Sequence, residues 1–111
     1  MRLMSAWVYI LKCSDDSYYT GSTVDLNGRL VKHGQGYISS YTASQLPVKL
    51  IYTQEFYTVD EAIRAERQIK GWSRAKKETL MAGNFDLLVE LARNSQEKKR
   101  ILSTIHQTKL S

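Results

Sequence analysis

The chain opens on short runs of aromatic and β-branched residues and passes, after residue 58, to apolar positions spaced three and four apart. Residues 6–13, Ala-Trp-Val-Tyr-Ile-Leu-Lys-Cys, halt at the turn formers Ser14-Asp15-Asp16-Ser17, and Tyr18-Tyr19-Thr20-Gly21-Ser22-Thr23 follows at once. Together they predict a β-hairpin. Asp25 is a good N-cap for a helix from Leu26 to His33, ended by Gly34 with Gly36 just beyond, although Gly28 inside it costs about 1 kcal/mol relative to Ala. Residues 37–46 are polar and predict a loop, and Pro47 opens a third strand through Val48, Leu50, Tyr52 and Phe56.

Helices take over from there. Thr58 or Asp60 caps one from Val59 to Gly71, and Ser73 caps a second from Arg74 to near Gly83. A third runs from Asn84 or Phe85 to Arg93 with Leu87, Leu88 and Leu91 facing the core. The expectation is an α+β fold of order β-β-α-β-α-α plus a C-terminal helix. Residues 1–94 form one domain, and the basic residues 95–111 extend the last helix or fray as a tail.

Composition agrees with one unit: 111 residues, 42% apolar and 24% charged, suit a single globular domain with a modest core. No apolar run approaches the roughly 18 to 20 residues of a membrane span, and no basic segment leads into a signal-peptide core. A cytoplasmic protein without a membrane partner is expected. The single cysteine, Cys13, cannot form an internal disulfide and reads as a small core residue on a strand. The net charge of +5 is uneven. Residues 1–61 carry five Lys/Arg against six Asp/Glu, a net −1, whereas residues 62–111 carry eleven against five, a net +6. A basic half is what a polyanion partner needs, and a solvated lysine-rich surface would look the same.

Three constellations stand apart from a bland core. Ala62, Ala65, Glu66, Ile69 and Trp72 share one helical face, which makes Glu66 the only charge on an apolar stripe. A carboxylate there needs a cation, hydrogen-bond donors or a metal. Leu26, Arg29, Leu30 and His33 share a face of the first helix, so Arg29 could pair with Glu66 or grip a phosphate, and a neutral His33 could accept a proton. Tyr9 and Tyr19 sit on neighbouring strands and can present hydroxyls toward one place, or simply pack as core rings.

These residues resemble the GIY-YIG nuclease domain, especially its small stand-alone bacterial members. The N-terminal likeness lies in Val8-Tyr9-Ile10-Leu11-Lys12-Cys13, Tyr18-Tyr19-Thr20-Gly21-Ser22-Thr23-Val24-Asp25-Leu26, Arg29-Leu30 and His33. Tyr41-Thr42, Pro47-Val48-Lys49-Leu50 and the run from Glu66 to Lys77 are similar to later motifs, so the match spans residues 6–82. Trp7-Val8 stands where the name-giving motif has Gly-Ile, and Thr20 where it has Ile.

The resemblance implies a three-stranded antiparallel sheet flanked by helices and phosphodiester hydrolysis at one divalent cation, Mg²⁺ or Mn²⁺. By position, Tyr9 and Tyr19 match the motif tyrosines, Arg29 the phosphate-binding arginine, His33 the histidine one turn later, and Glu66 the metal-binding glutamate. Tyr9 would be the base if nearby cations lower its hydroxyl pKa, with His33 assisting. Tyr41 and Asn84 are secondary candidates, Asn84 for an asparagine that some members carry after the glutamate. Lys70, Arg74, Lys76 and Lys77 are expected to contact nucleic acid, DNA rather than RNA, with a protein partner supplying specificity. The competing readings are a catalytically weak nucleic-acid-binding module and an interaction domain with no nucleic-acid role.

Overall fold

A computed structural model of the chain describes residues 5–107. The hairpin forms as expected, with β1 at Ala6–Lys12 and β2 at Tyr18–Thr23. The helix α1 (Leu26–Gly34) and one short turn of helix, α2 (Ser40–Ser44), lead to β3 (Lys49–Phe56). The helices α3 (Val59–Lys70), α4 (Arg74–Met81), α5 (Phe85–Glu90) and α6 (Ser95–Gln107) complete the order. The sheet is antiparallel, β2-β1-β3, so the apolar β1 is its central strand.

Alternation along β1 divides the molecule into two sides. Ala6, Val8 and Ile10 face a core built with Phe56, Ala62, Ala65, Ile69, Trp72, Leu80, Leu88 and Ile101. The opposite face carries Tyr9, whose partners come from α1 and from Tyr19 on β2. Both faces of β1 are therefore covered, and Val8, Tyr9, Ile10 and Leu11 have no exposed surface.

Capping sets the helix starts. The Asp25 side chain accepts from the Gly28 N–H at 3.1 Å, and a methyl group at Gly28 would lie 2.9 Å from the Asp25 carboxyl carbon. The glycine that weakens α1 is thus what lets its cap close, and such a cap contributes about 1 kcal/mol. Thr58, rather than Asp60, caps α3, in a reciprocal capping box with Glu61, and Ser73 caps α4.

Several expectations need correction. Residues 37–46 are not wholly loop, because the Ser39 hydroxyl accepts from the Tyr41 and Thr42 N–H groups and starts α2. The third strand begins at Lys49, two residues beyond Pro47. Helix α5 ends at Glu90, and of the expected core leucines Leu87, Leu88 and Leu91 only Leu88 is buried, since a six-residue helix offers the core one narrow face. Cys13 is buried just past the end of β1 rather than on it. Residues 95–107 are helical, and Ile101 anchors them in the core; residues 108–111 lie outside the described part of the chain.

Candidate active site

The site lies along the free edge of β2, where elements from the two sides of the sheet meet. Ser22 is the junction. Its hydroxyl donates to Glu66 Oε1 from α3, and its carbonyl accepts from Arg29 Nη1 of α1 at 3.3 Å. Arg29 and Glu66 therefore converge on one residue without forming the ion pair that the sequence left open. The cation that Glu66 does meet is Lys70, one turn along α3, with Nζ 2.8 Å from Oε2.

Tyr9 forms the floor, and Gly21 explains how it fits. The two residues are cross-strand partners, and a methyl group at Gly21 would fall 2.5 Å from the Tyr9 Cζ and 3.0 Å from Cε2. Only a bare backbone leaves room for the ring. The Tyr9 hydroxyl then lies 2.7 Å from His33 Nε2. Tyr19 meets the His33 ring edge-on at 5.2 Å and stacks with Tyr41 at 6.4 Å. Tyr41 in turn hydrogen-bonds Ser17 in the hairpin turn.

The hydrogen-bond chain fixes the roles of the two histidine nitrogens. Thr42 is fully buried, and its single hydroxyl proton goes to the Ser39 carbonyl at 3.2 Å. It can therefore only accept from His33 Nδ1, which lies 3.1 Å away. With the proton on Nδ1, neutral His33 presents its Nε2 lone pair to the Tyr9 hydroxyl. Burial, reinforced by the nearby Arg29 charge, lowers the His33 pKa and favours this neutral form. Burial also raises the Tyr9 pKa, against a lowering pull from Arg29. Between these two pulls burial is the larger, so among the protein's own groups the Tyr9 hydroxyl is held above its ordinary value.

The basic candidates divide. Lys70 borders the cleft, with its ammonium 6.0 Å from the Tyr19 ring centre. Arg74 lies over the Tyr18 ring at 4.1 Å, bonds Glu78 and donates to the Asp16 carbonyl at 2.6 Å, which ties α4 to the hairpin turn. Lys76 does not point to solvent: its ammonium is buried 2.7 Å from Glu97 of α6. Lys77 is also buried, and desolvation, then the Lys70 charge, lowers its pKa. Asn84 caps α5, accepting from the Leu87 N–H at 3.2 Å, so its carbonyl is committed to the fold. Sequence reasoning did not assign roles to Ser22 and Thr42, small hydroxyl residues whose only sequence signal was their place inside the family-like motifs.

Comparison with known proteins then decides the family. The GIY-YIG catalytic domain matches residues 5–79. The chain belongs to the GIY-YIG family. It is 44% identical over 81 residues to a UPF0213 protein of Streptococcus pneumoniae serotype 4, covering 73% of this chain and 82% of that one. A UPF0213 protein of Staphylococcus aureus strain Mu3 is 45% identical over 73 residues, covering 66% and 89%. The solution NMR structure of the protein EF2693 from E. faecalis superposes with a TM-score of 0.53 at 36% identity, covering 78% of this chain and 91% of that one. GIY-YIG proteins are a nuclease family, and in this chain Tyr9, Tyr19, Arg29, His33 and Glu66 are linked through Ser22 and the His33 ring at one edge of the sheet.

The donor set suits a hard divalent cation. Glu66 keeps 17% of its side chain exposed, and Mg²⁺ is commonly bound by one or two carboxylates while it retains several waters. Lys70 now neutralises Oε2, so a cation arriving at Glu66 would take the place of that ammonium. Among the described residues no cluster of three or more His, Cys, Asp or Glu is assembled, and the Glu66 carboxylate meets Ser22 and Lys70. No described helix is long and apolar enough to cross a membrane.

Proposed function

We propose that the protein is a metal-dependent endonuclease that hydrolyses phosphodiester bonds of nucleic acid, DNA in preference to RNA. The observation that carries this reading is the Tyr9 to His33 hydrogen bond beside the Arg29 and Glu66 convergence on Ser22. Glu66 would hold one Mg²⁺ or Mn²⁺, which supplies Lewis-acid stabilisation of charge on the phosphate when bound.

The remaining chemistry belongs to the chain. The attacking water gives a proton to the Tyr9 oxygen as Tyr9 passes its own to His33 Nε2, so the phenol stays neutral on balance and the imidazole becomes the acid. Thr42 Oγ1 holds the Nδ1–H of the resulting imidazolium. Arg29 donates to the phosphoryl oxygens as their charge builds, and Tyr19 flanks the path of the phosphodiester. The water oxygen bonds to phosphorus, the bond to the leaving oxygen breaks, and that oxygen takes a proton from solvent.

One observation favours a catalytically weak binding module instead: both Glu66 oxygens already have partners, Ser22 and Lys70. The two readings part in a cleavage assay on labelled single-stranded, duplex and branched DNA and on RNA, with Mg²⁺, Mn²⁺ or EDTA. Metal-dependent products that vanish in Tyr9→Phe and Glu66→Gln support the nuclease. Salt-sensitive binding that survives both substitutions, with no product under any metal, supports the binding module.

A further inference from the structure

A cluster of positive charge lies away from the Tyr9 and Glu66 site, between α3 and α6. Arg64 and Arg67 stand on the α3 side, and Arg93 and Arg100 on the side formed by α6 and the residues just before it. These four guanidinium groups border one cavity of about 360 Å³. Glu97 is the single carboxylate lining it, and its two oxygens are taken by Lys76 at 2.7 Å and Arg93 at 2.9 Å. Arg64, Arg67 and Arg100 form no ion pair among the described residues. Trp72 also lines the cavity, and its buried indole N–H has no hydrogen-bond partner among the described residues.

Like charges facing one another across a groove repel unless an anion lies between them, and the planar fork of arginine suits phosphate oxygens. At about 100° per residue, Arg67, Arg64 and Gln68 lie about 100°, 160° and 160° around α3 from Glu66, so the groove lies across the solvent side of the helix, roughly 150° round its axis. We propose that this groove binds the backbone of a nucleic-acid strand whose scissile phosphate sits at Glu66. The proposal rests on the nucleic-acid reading above and adds a second contact to it. A helix with its side chains is about 10–12 Å wide. A path of roughly 150° around it is about 13–16 Å, so at ~3.4 Å per nucleotide a strand must reach about four to five nucleotides beyond Glu66 to fill the groove.

The bland alternative is a set of solvated arginines that touch nothing. Length and salt dependence separate the two. The test measures binding of the full chain to labelled strands of about 4 and about 16 nucleotides over a salt series, for wild type and for Arg64→Gln, Arg67→Gln and Arg100→Gln combined. All three side chains are exposed, so the fold should persist, and a far-ultraviolet spectrum checks it.

The combined variant should bind the long strand about tenfold or more weakly at low salt, with a log–log salt slope shallower by roughly 2, from three contacts at about 0.7 each. Binding of the short strand should not change. Replacing the same three residues with Lys should recover most of the slope. Unchanged long-strand affinity and slope in the Gln variant, with wild-type cleavage intact, would remove the groove and leave the nuclease standing. Tight wild-type binding that the Gln variant loses, without cleavage by either, would keep the groove and sink the nuclease. Loss of poly-glutamate binding alone would assign the groove to an acidic protein and overturn the proposal. Absence of wild-type binding to any strand at low salt would overturn both.

Discussion

Replacing Thr42 with Val tests the proton path at its most hidden point. The substitution removes one oxygen from a fully buried site and leaves Tyr9, Arg29 and Glu66 untouched. That oxygen accepts the His33 Nδ1–H at 3.1 Å and, by doing so, leaves Nε2 open to the Tyr9 hydroxyl at 2.7 Å. In the variant either Nδ1–H is left without an acceptor, or the proton moves to Nε2, which then donates to the Tyr9 oxygen, leaving the Tyr9 proton without its acceptor. Both outcomes cost about 1–3 kcal/mol, the penalty of an unmet buried polar group. The first costs stability, a Tm fall of roughly 4–8 °C per kcal/mol for a chain near this size. The second costs rate, roughly 5- to 150-fold in single-turnover cleavage. Nitrogen chemical shifts of the His33 ring report the tautomer directly, and a purely structural role for Thr42 would not move them. Thr42→Ser should restore both tautomer and rate. Thr42→Val with the Nδ1–H tautomer retained, an unchanged Tm and a rate within about twofold of wild type would rule out a role for Thr42 in setting the His33 tautomer.

Three further outcomes follow from the same geometry. Gly21→Ala should displace the Tyr9 ring, cost about 1–3 kcal/mol by overpacking, and reduce cleavage more than binding; a thermal melt and a cleavage assay on one preparation check it. Neutral His33 is the form that accepts the proton and its pKa lies below the ordinary histidine value, so the acidic limb of the rate profile should fall below pH 6.5. Relieving the Arg29 charge with Arg29→Gln should move that limb upward. Lys76 and Arg93 hold the Glu97 carboxyl down at about 2 in the folded state, against an ordinary 4.5. Its contribution is therefore fully present above about pH 4.5 and lost as pH falls toward 2, and Glu97→Gln should destabilise the protein at neutral pH by about 3–5 kcal/mol while flattening that acid dependence of Tm.

The sequence was most legible where a local rule acts alone. Asp25, Thr58 and Ser73 announce their helices because capping needs only a side chain and the N–H groups two or three residues ahead. The hairpin follows from two strand-like runs around a turn. Helical spacing placed Glu66 beside the core, and Arg29 and His33 on one face, but not the sheet edge where α1 and α3 meet at Ser22. Tertiary pairing hid the rest. Lys76 looks like a surface cation until α6 brings Glu97 onto it from 21 residues away. Thr42 sits in a polar stretch with no periodicity, and its role depends on a histidine nine residues earlier. Leu87 and Leu91 look like core residues, yet α5 is too short to bury more than Leu88.

The dependence on Glu66 and a divalent cation is decided by single-turnover cleavage of a labelled strand by wild type and Glu66→Gln, across a Mg²⁺ titration and in EDTA. A metal-dependent nuclease gives wild-type cleavage that rises with Mg²⁺, stops in EDTA and is absent from a Glu66→Gln protein that still folds and binds. Equal cleavage by both proteins, or cleavage indifferent to EDTA, would contradict it.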